Sequence, residues 1–65
     1  MTITLNGNPR ELPDETTIHG LLEVLKLAPE KVAVELNRRL TRGEKYDTPL
    51  RPGDVVEVVT FVGGG

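Results

Sequence analysis

The chain has 65 residues, 37% of them hydrophobic and 28% charged, with a net charge of −2 and no cysteine. This is the composition of one small folded domain, which buries only about 60% of the surface its unfolded chain exposes, and not of a disordered segment. The acidic balance and the two aromatics, Tyr46 and Phe61, disfavour nucleic-acid binding, while the missing thiols exclude disulfides, thiolate metal sites and iron–sulfur ligation.

The apolar runs fall far short of the roughly 20 residues needed to cross a bilayer. Met1 to Leu5 has no basic region leading into an apolar stretch, so no secretory signal is expected and the expected location is cytoplasmic.

Ile3 and Leu5 alternate with Thr2 and Thr4, which predicts a strand with one face inward. Asn6-Gly7 follows as a hairpin turn, because both residues tolerate positive φ. The return strand is expected over Arg10 to Leu12, with Pro9 placing it at an edge or delaying its start. Thr17 is a natural N-cap for a helix of about three turns in which Ile18, Leu21, Leu22 and Leu25 share one stripe. Lys26 belongs to its last turn, and Pro29 stops any continuation past Ala28.

Val32, Val34 and Leu36 alternate with Ala33, Glu35 and Asn37 in a second inward-facing strand. Asn37-Arg38 turns the chain into a short return strand over Arg39 to Thr41. Arg42 to Thr48 is polar and irregular, with Gly43 as a breaker and Tyr46 laid over the edge of the core. After the Pro52-Gly53 turn, a last strand runs from Val55 to Val62. It carries valines on both faces, so it belongs in the middle of the sheet, parallel to the first strand. If Val56 and Val58 meet the helix, Val59 and Phe61 lie on the open side, either covered by Tyr46 and its loop or exposed as a docking patch.

Little else in the chain carries chemistry. His19 stands beside the N-cap with no nucleophile or paired carboxylate at a suggestive spacing, and reads as a helix-terminus residue. Asp14 and Glu15 suit the positive end of the helix. Arg38, Arg39, Arg42 and Lys45 form a basic cluster best read as a solvated hairpin. Gly7 and Gly53 are isolated turn glycines, so no phosphate-cradling loop exists.

The chain stops at Phe61-Val62-Gly63-Gly64-Gly65. A glycine-rich end is the commonest kind of frayed terminus. Here it follows a core strand directly, and the tail formed by Gly63, Gly64 and Gly65 would reach roughly 10 Å beyond the sheet when extended. Without Cβ atoms it can lie in a channel too narrow for other residues.

The Asn6-Gly7 hairpin, the helix start Thr17-Ile18-His19-Gly20-Leu21-Leu22, the turn Leu50-Arg51-Pro52-Gly53-Asp54 and the ending Val58 to Gly65 together resemble the ThiS-type sulfur carriers of thiamine biosynthesis. These form a ubiquitin-like β-grasp family, and the resemblance covers essentially the whole chain. It implies an α+β fold, a mixed sheet of four to five strands with one helix across one face, in a single domain over 1–65 with a flexible glycine tail at 63–65. It also implies a carrier and not an enzyme.

In the implied chemistry, a ThiF-like adenylyltransferase uses ATP and magnesium to convert the Gly65 carboxylate to an acyl-adenylate. Sulfur originating from a cysteine desulfurase then replaces AMP, and a ThiG-like thiazole synthase consumes the thiocarboxylate. The carrier binds no cofactor itself and is expected to be a monomer when free. Gly65 is the modified residue, and Val59, Phe61 and Val62 are the candidate docking residues. Two alternatives use the same terminal glycine, a molybdopterin synthase small subunit and a ubiquitin-like protein modifier; a third is a structural module whose tail is incidental.

Overall fold

The computed structural model describes residues 1–61. Five strands, β1 (Thr2–Leu5), β2 (Asn8–Glu11), β3 (Val32–Leu36), β4 (Arg39–Thr41) and β5 (Val55–Thr60), form one sheet in the order β2-β1-β5-β3-β4. One helix, α1 (Ile18–Leu25), lies across it. β1 and β5 run parallel and all other neighbours antiparallel. The last strand is therefore central, as its two-faced apolar pattern predicts.

Both hairpins close through two residues in the left-handed region, Asn6 and Gly7 (φ 49° and 85°) and Asn37 and Arg38 (φ 53° and 73°). Turns of this hand match the twist of the strands they join. β2 begins at Asn8 and not at Arg10, with Pro9 inside it opposite Thr4. Proline lacks an amide hydrogen, and an edge strand has a flank where none is needed. Leu12, just past the strand, still donates its N–H to the Met1 carbonyl at 2.8 Å and is buried.

α1 starts as expected, with the Thr17 hydroxyl accepting the Gly20 N–H at 3.0 Å. Its eight residues make about two turns and not three. Lys26 is no part of the last turn, because it adopts a left-handed conformation (φ 61°, ψ 42°) and donates to the Glu23 carbonyl. Leu27 donates to the Leu22 carbonyl at 2.9 Å, completing a Schellman stop. Pro29 then opens a 3₁₀ turn, Pro29–Lys31, that leads straight into β3.

The core lies between α1 and one face of the sheet. Ile18, Leu21 and Leu22 from α1 meet Ile3, Leu5, Val32, Val34, Val56 and Val58 from the strands, with Leu12 and Leu50 closing the ends. Leu25 and Leu36 are only partly buried at its border. Tyr46 is inside this core at 4% exposure, deeper than the edge position expected of it. Its carbonyl accepts the His19 N–H at 3.0 Å, which ties the loop after β4 to the start of α1.

Candidate functional site

The sheet has one covered and one open face, and β5 decides which is which. Val56 and Val58 point into the core, so Val55 and Val59 alternate outward and Phe61 follows them. Val59 is 60% exposed and Phe61 61% exposed, and Tyr46, packed on the helix side, covers neither. Val59 stands opposite Ala33 of β3. Leu40 of β4 extends the apolar surface at the far edge, opposite Glu35. Large apolar side chains left open together on one face mark a surface suited to contact.

β5 is held on both flanks, by different means. On the β3 side, five Cα pairs run from Val32↔Thr60 to Leu36↔Val56, and the Phe61 N–H reaches the Lys31 carbonyl at 2.9 Å beyond them. That bond fixes the backbone one residue past the strand. The strand ends at Thr60, two residues before the expected Val62. On the β1 side the pairing is short, Thr4↔Val55 and Leu5↔Val56, before the chain turns away at Asn6. The Asn6 side chain takes over from there. Its Oδ1 accepts the Val58 N–H at 2.8 Å, and its Nδ2 donates to the Val58 carbonyl at 3.3 Å.

The start of β5 is anchored in a matching way. Asn37 donates its backbone N–H to the Val55 carbonyl at 2.7 Å and accepts the Val55 N–H on its Oδ1 at 2.8 Å. Its Nδ2 donates to Asp54 Oδ1 at 3.1 Å, while Asp54 Oδ2 accepts the Arg51 N–H and so closes the Pro52-Gly53 turn. Sequence reasoning read Asn6 and Asn37 as turn formers only. Their partners on β5 lie 52 and 18 residues away, beyond any local pattern.

The other candidates stay peripheral. His19 Nδ1 sits 2.7 Å from Asp47 Oδ1, and its ring meets the Tyr46 ring edge-on at 5.6 Å. This is a helix-terminus histidine held in place, with no nucleophile beside it. Asp14 lies 3.3 Å from the Met1 amine, and Arg38, Arg39, Arg42 and Lys45 are exposed. No group of three or more potential metal ligands occurs among the described residues. No helix among them is long and apolar enough to cross a membrane. Val62 and the tail Gly63, Gly64 and Gly65 lie outside the described residues.

A five-stranded mixed sheet in this order, with its central strand last in sequence and one helix across one face, defines a ubiquitin-like β-grasp protein. Residues 3–65 match the ThiS family. The chain is 45% identical over 64 residues to the sulfur carrier protein ThiS of Thermus thermophilus, covering 97% of this chain and 98% of that one. It superposes on the crystal structure of the thiamine biosynthesis protein ThiS of Geobacter metallireducens with a TM-score of 0.79 and 39% identity, each chain covered in full.

It is also 48% identical over 66 residues to a thiazole synthase of Magnetococcus marinus, where it matches all of this chain but spans only 20% of that protein's length. A segment like this one thus occurs within a thiazole synthase chain. The protein belongs to the ThiS family, the sulfur carriers of thiamine biosynthesis.

Proposed function

We propose that this chain carries sulfur as a thiocarboxylate on Gly65 for assembly of the thiazole ring of thiamine. The observation that carries the proposal is the extent of the family match, which runs through residue 65 and so includes the glycine run. A terminal carboxylic acid has a pKa of roughly 3.5 and is an unreactive anion at neutral pH, so it needs a leaving group before sulfur can be attached. A ThiF-like adenylyltransferase using ATP and magnesium supplies one as AMP. Sulfur originating from a cysteine desulfurase then takes its place. No cysteine elsewhere in the chain competes for that sulfur.

Ordering a glycine tail in a partner's channel costs on the order of 1 to 2 kcal/mol per residue. The folded surface must offset this, and Val59 and Phe61, open beside the strand's exit, are the residues proposed to do so, with Val62 following them. The consumer proposed is a ThiG-like thiazole synthase, a reading supported by the thiazole synthases of Magnetococcus marinus and Paramagnetospirillum magneticum that contain a segment similar to this chain.

The test is the intact mass after incubation with ATP, a ThiF-type enzyme and a sulfur source. Replacement of one oxygen by sulfur, mapped to Gly65, is the expected result. An unchanged mass, or adducts on lysines of other proteins instead, would overturn it.

A further inference from the structure

We infer that Asn6 is a positioning residue: its side-chain amide holds β5 at Val58 and thereby sets the direction in which the chain leaves the sheet toward Gly65. The inference rests on the carrier reading above.

The geometry leaves β5 with one weak flank. Val56, Val58 and Thr60 form the non-hydrogen-bonded pairs with β3, because the bond from Phe61 to Lys31 and that from Asn37 to Val55 place the alternate residues in the bonded pairs. The N–H and C=O groups of Val56, Val58 and Thr60 therefore point to the β1 side. There, β1 pairs with β5 only as far as Val56, whose carbonyl accepts the N–H of Asn6, the residue just past β1, at 2.9 Å. Past that point the chain has turned away into the hairpin, and without a substitute Val58 would be unpaired on this flank.

Asn6 is that substitute. One carboxamide presents an acceptor and a donor side by side, as a peptide group does, and meets both polar groups of Val58. For Thr60, neither its N–H nor its C=O has a backbone partner on that side among the described residues. Val58 is thus the last residue of β5 held from the β1 side, two residues before Thr60 and three before the Phe61 bond on the other side. Losing that hold leaves the exit segment fastened along one flank only, so its angle to the sheet is free to vary. A partner would then have to select the productive direction when it binds, and apparent affinity falls by the fraction of chains so directed.

The chemistry of position 6 allows a clean test. Its φ of 49° suits glycine, so Asn6→Gly keeps the turn and removes only the side chain. Asn37→Gly is the matched control, since it removes an equivalent asparagine bond from the opposite end of the same strand, at Val55, with its own φ of 53° equally suited to glycine. Adenylation is followed by ATP–pyrophosphate exchange with a ThiF-type enzyme across a range of carrier concentrations, alongside amide hydrogen exchange.

With Asn6→Gly, KM for the carrier should rise about five- to thirty-fold with kcat within about two-fold, the range that ordering one residue spans. The Val58 amide should exchange about five-fold faster or more, as expected for loss of one hydrogen bond. With Asn37→Gly the Val55 amide should accelerate while KM stays within about two-fold of the original. If Asn6→Gly fails to fold, Asn6→Asp takes its place. It keeps an acceptor for the Val58 N–H but sets an anion against the Val58 carbonyl, and KM should rise in the same way.

An unchanged KM in the folded variant overturns the inference, and so does an equal rise with Asn37→Gly, which would mean general loosening of the strand. Failure of the carrier reading looks different. In that case the unsubstituted chain is not adenylated at all, and the inference falls with it.

Discussion

Glu35 and Glu57 stand directly opposite each other across β3 and β5, both exposed, on the same open face as Val55, Val59 and Leu40. Like charges in this position oppose the pairing of their strands by several tenths of a kcal/mol. Glu57→Lys should therefore raise stability by roughly 0.5 to 1 kcal/mol, with the gain shrinking as salt is added. Urea unfolding at low and high ionic strength measures both. A loss of stability at low salt would show that something other than this pair governs the strand centre.

Phe61 and Leu21 separate surface from core. Phe61→Ala should change folding stability by no more than about 0.5 kcal/mol, as expected for an exposed side chain, while weakening binding to the proposed ThiF-type partner. Leu21, fully buried on α1, should lose about 2 to 5 kcal/mol when changed to alanine. In a domain this small that is a large share of the total. A loss of several kcal/mol on Phe61→Ala would return the ring to the core.

Removing Gly64 and Gly65 should abolish sulfur loading and leave the midpoint of thermal unfolding unchanged, because among the described residues the buried core runs from Ile3 to Val58. Loading of the truncated chain at the normal rate would end the case for the glycine tail.

Two backbone sites should respond to glycine with opposite signs. Lys26 pays for its left-handed conformation at the end of α1, and Lys26→Gly should stabilise the protein by about 1 kcal/mol. Gly53 is the reverse case. A Cβ there meets nothing within 4 Å, yet its φ of 85° is foreign to L-residues, so Gly53→Ala should destabilise by about 1 to 2 kcal/mol through the backbone alone. Chemical denaturation of both variants, with unchanged m-values, checks them.

Much of this was legible in the sequence where a local rule and the global fold agree. Alternation placed β1, β3 and β5, the bounds of β4 were read correctly, and valines on both faces put β5 at the centre. The facing of β5 followed as well, with Val59 and Phe61 outward. What escaped depends on contacts between distant segments. Pro9 marked an edge strand or a late start. The edge placement holds, while the start at Asn8, with Pro9 inside the strand, depends on which flank of the residue faces β1, a property of the sheet and not of the tripeptide around it. Tyr46 sits in a polar stretch, and only the docking of that loop onto α1 buries it. Lys26 has no sequence signature of a helix stop, and the hydrophobic pull of Leu22 and Leu27 on the core holds it there. The glycine run was the strongest functional signal in the sequence, while the asparagine that secures the strand before it was visible only as half of a turn.

The place of β5 in the sheet also bears on how the chain comes to be folded at all. β1 and β3 have no contact in the sheet except through β5, so the two halves made first remain a pair of hairpins with a helix between them until residues 55–60 are available. Isolated hairpins are marginal in water, and folding of the domain waits on its most distant contact. A nascent or clipped chain lacking β5 would be an open, protease-sensitive species. Structural integrity thus vouches for the segment that precedes the glycines in sequence: a copy that survives in the cell as a compact domain has already made the strand that comes before the glycine run.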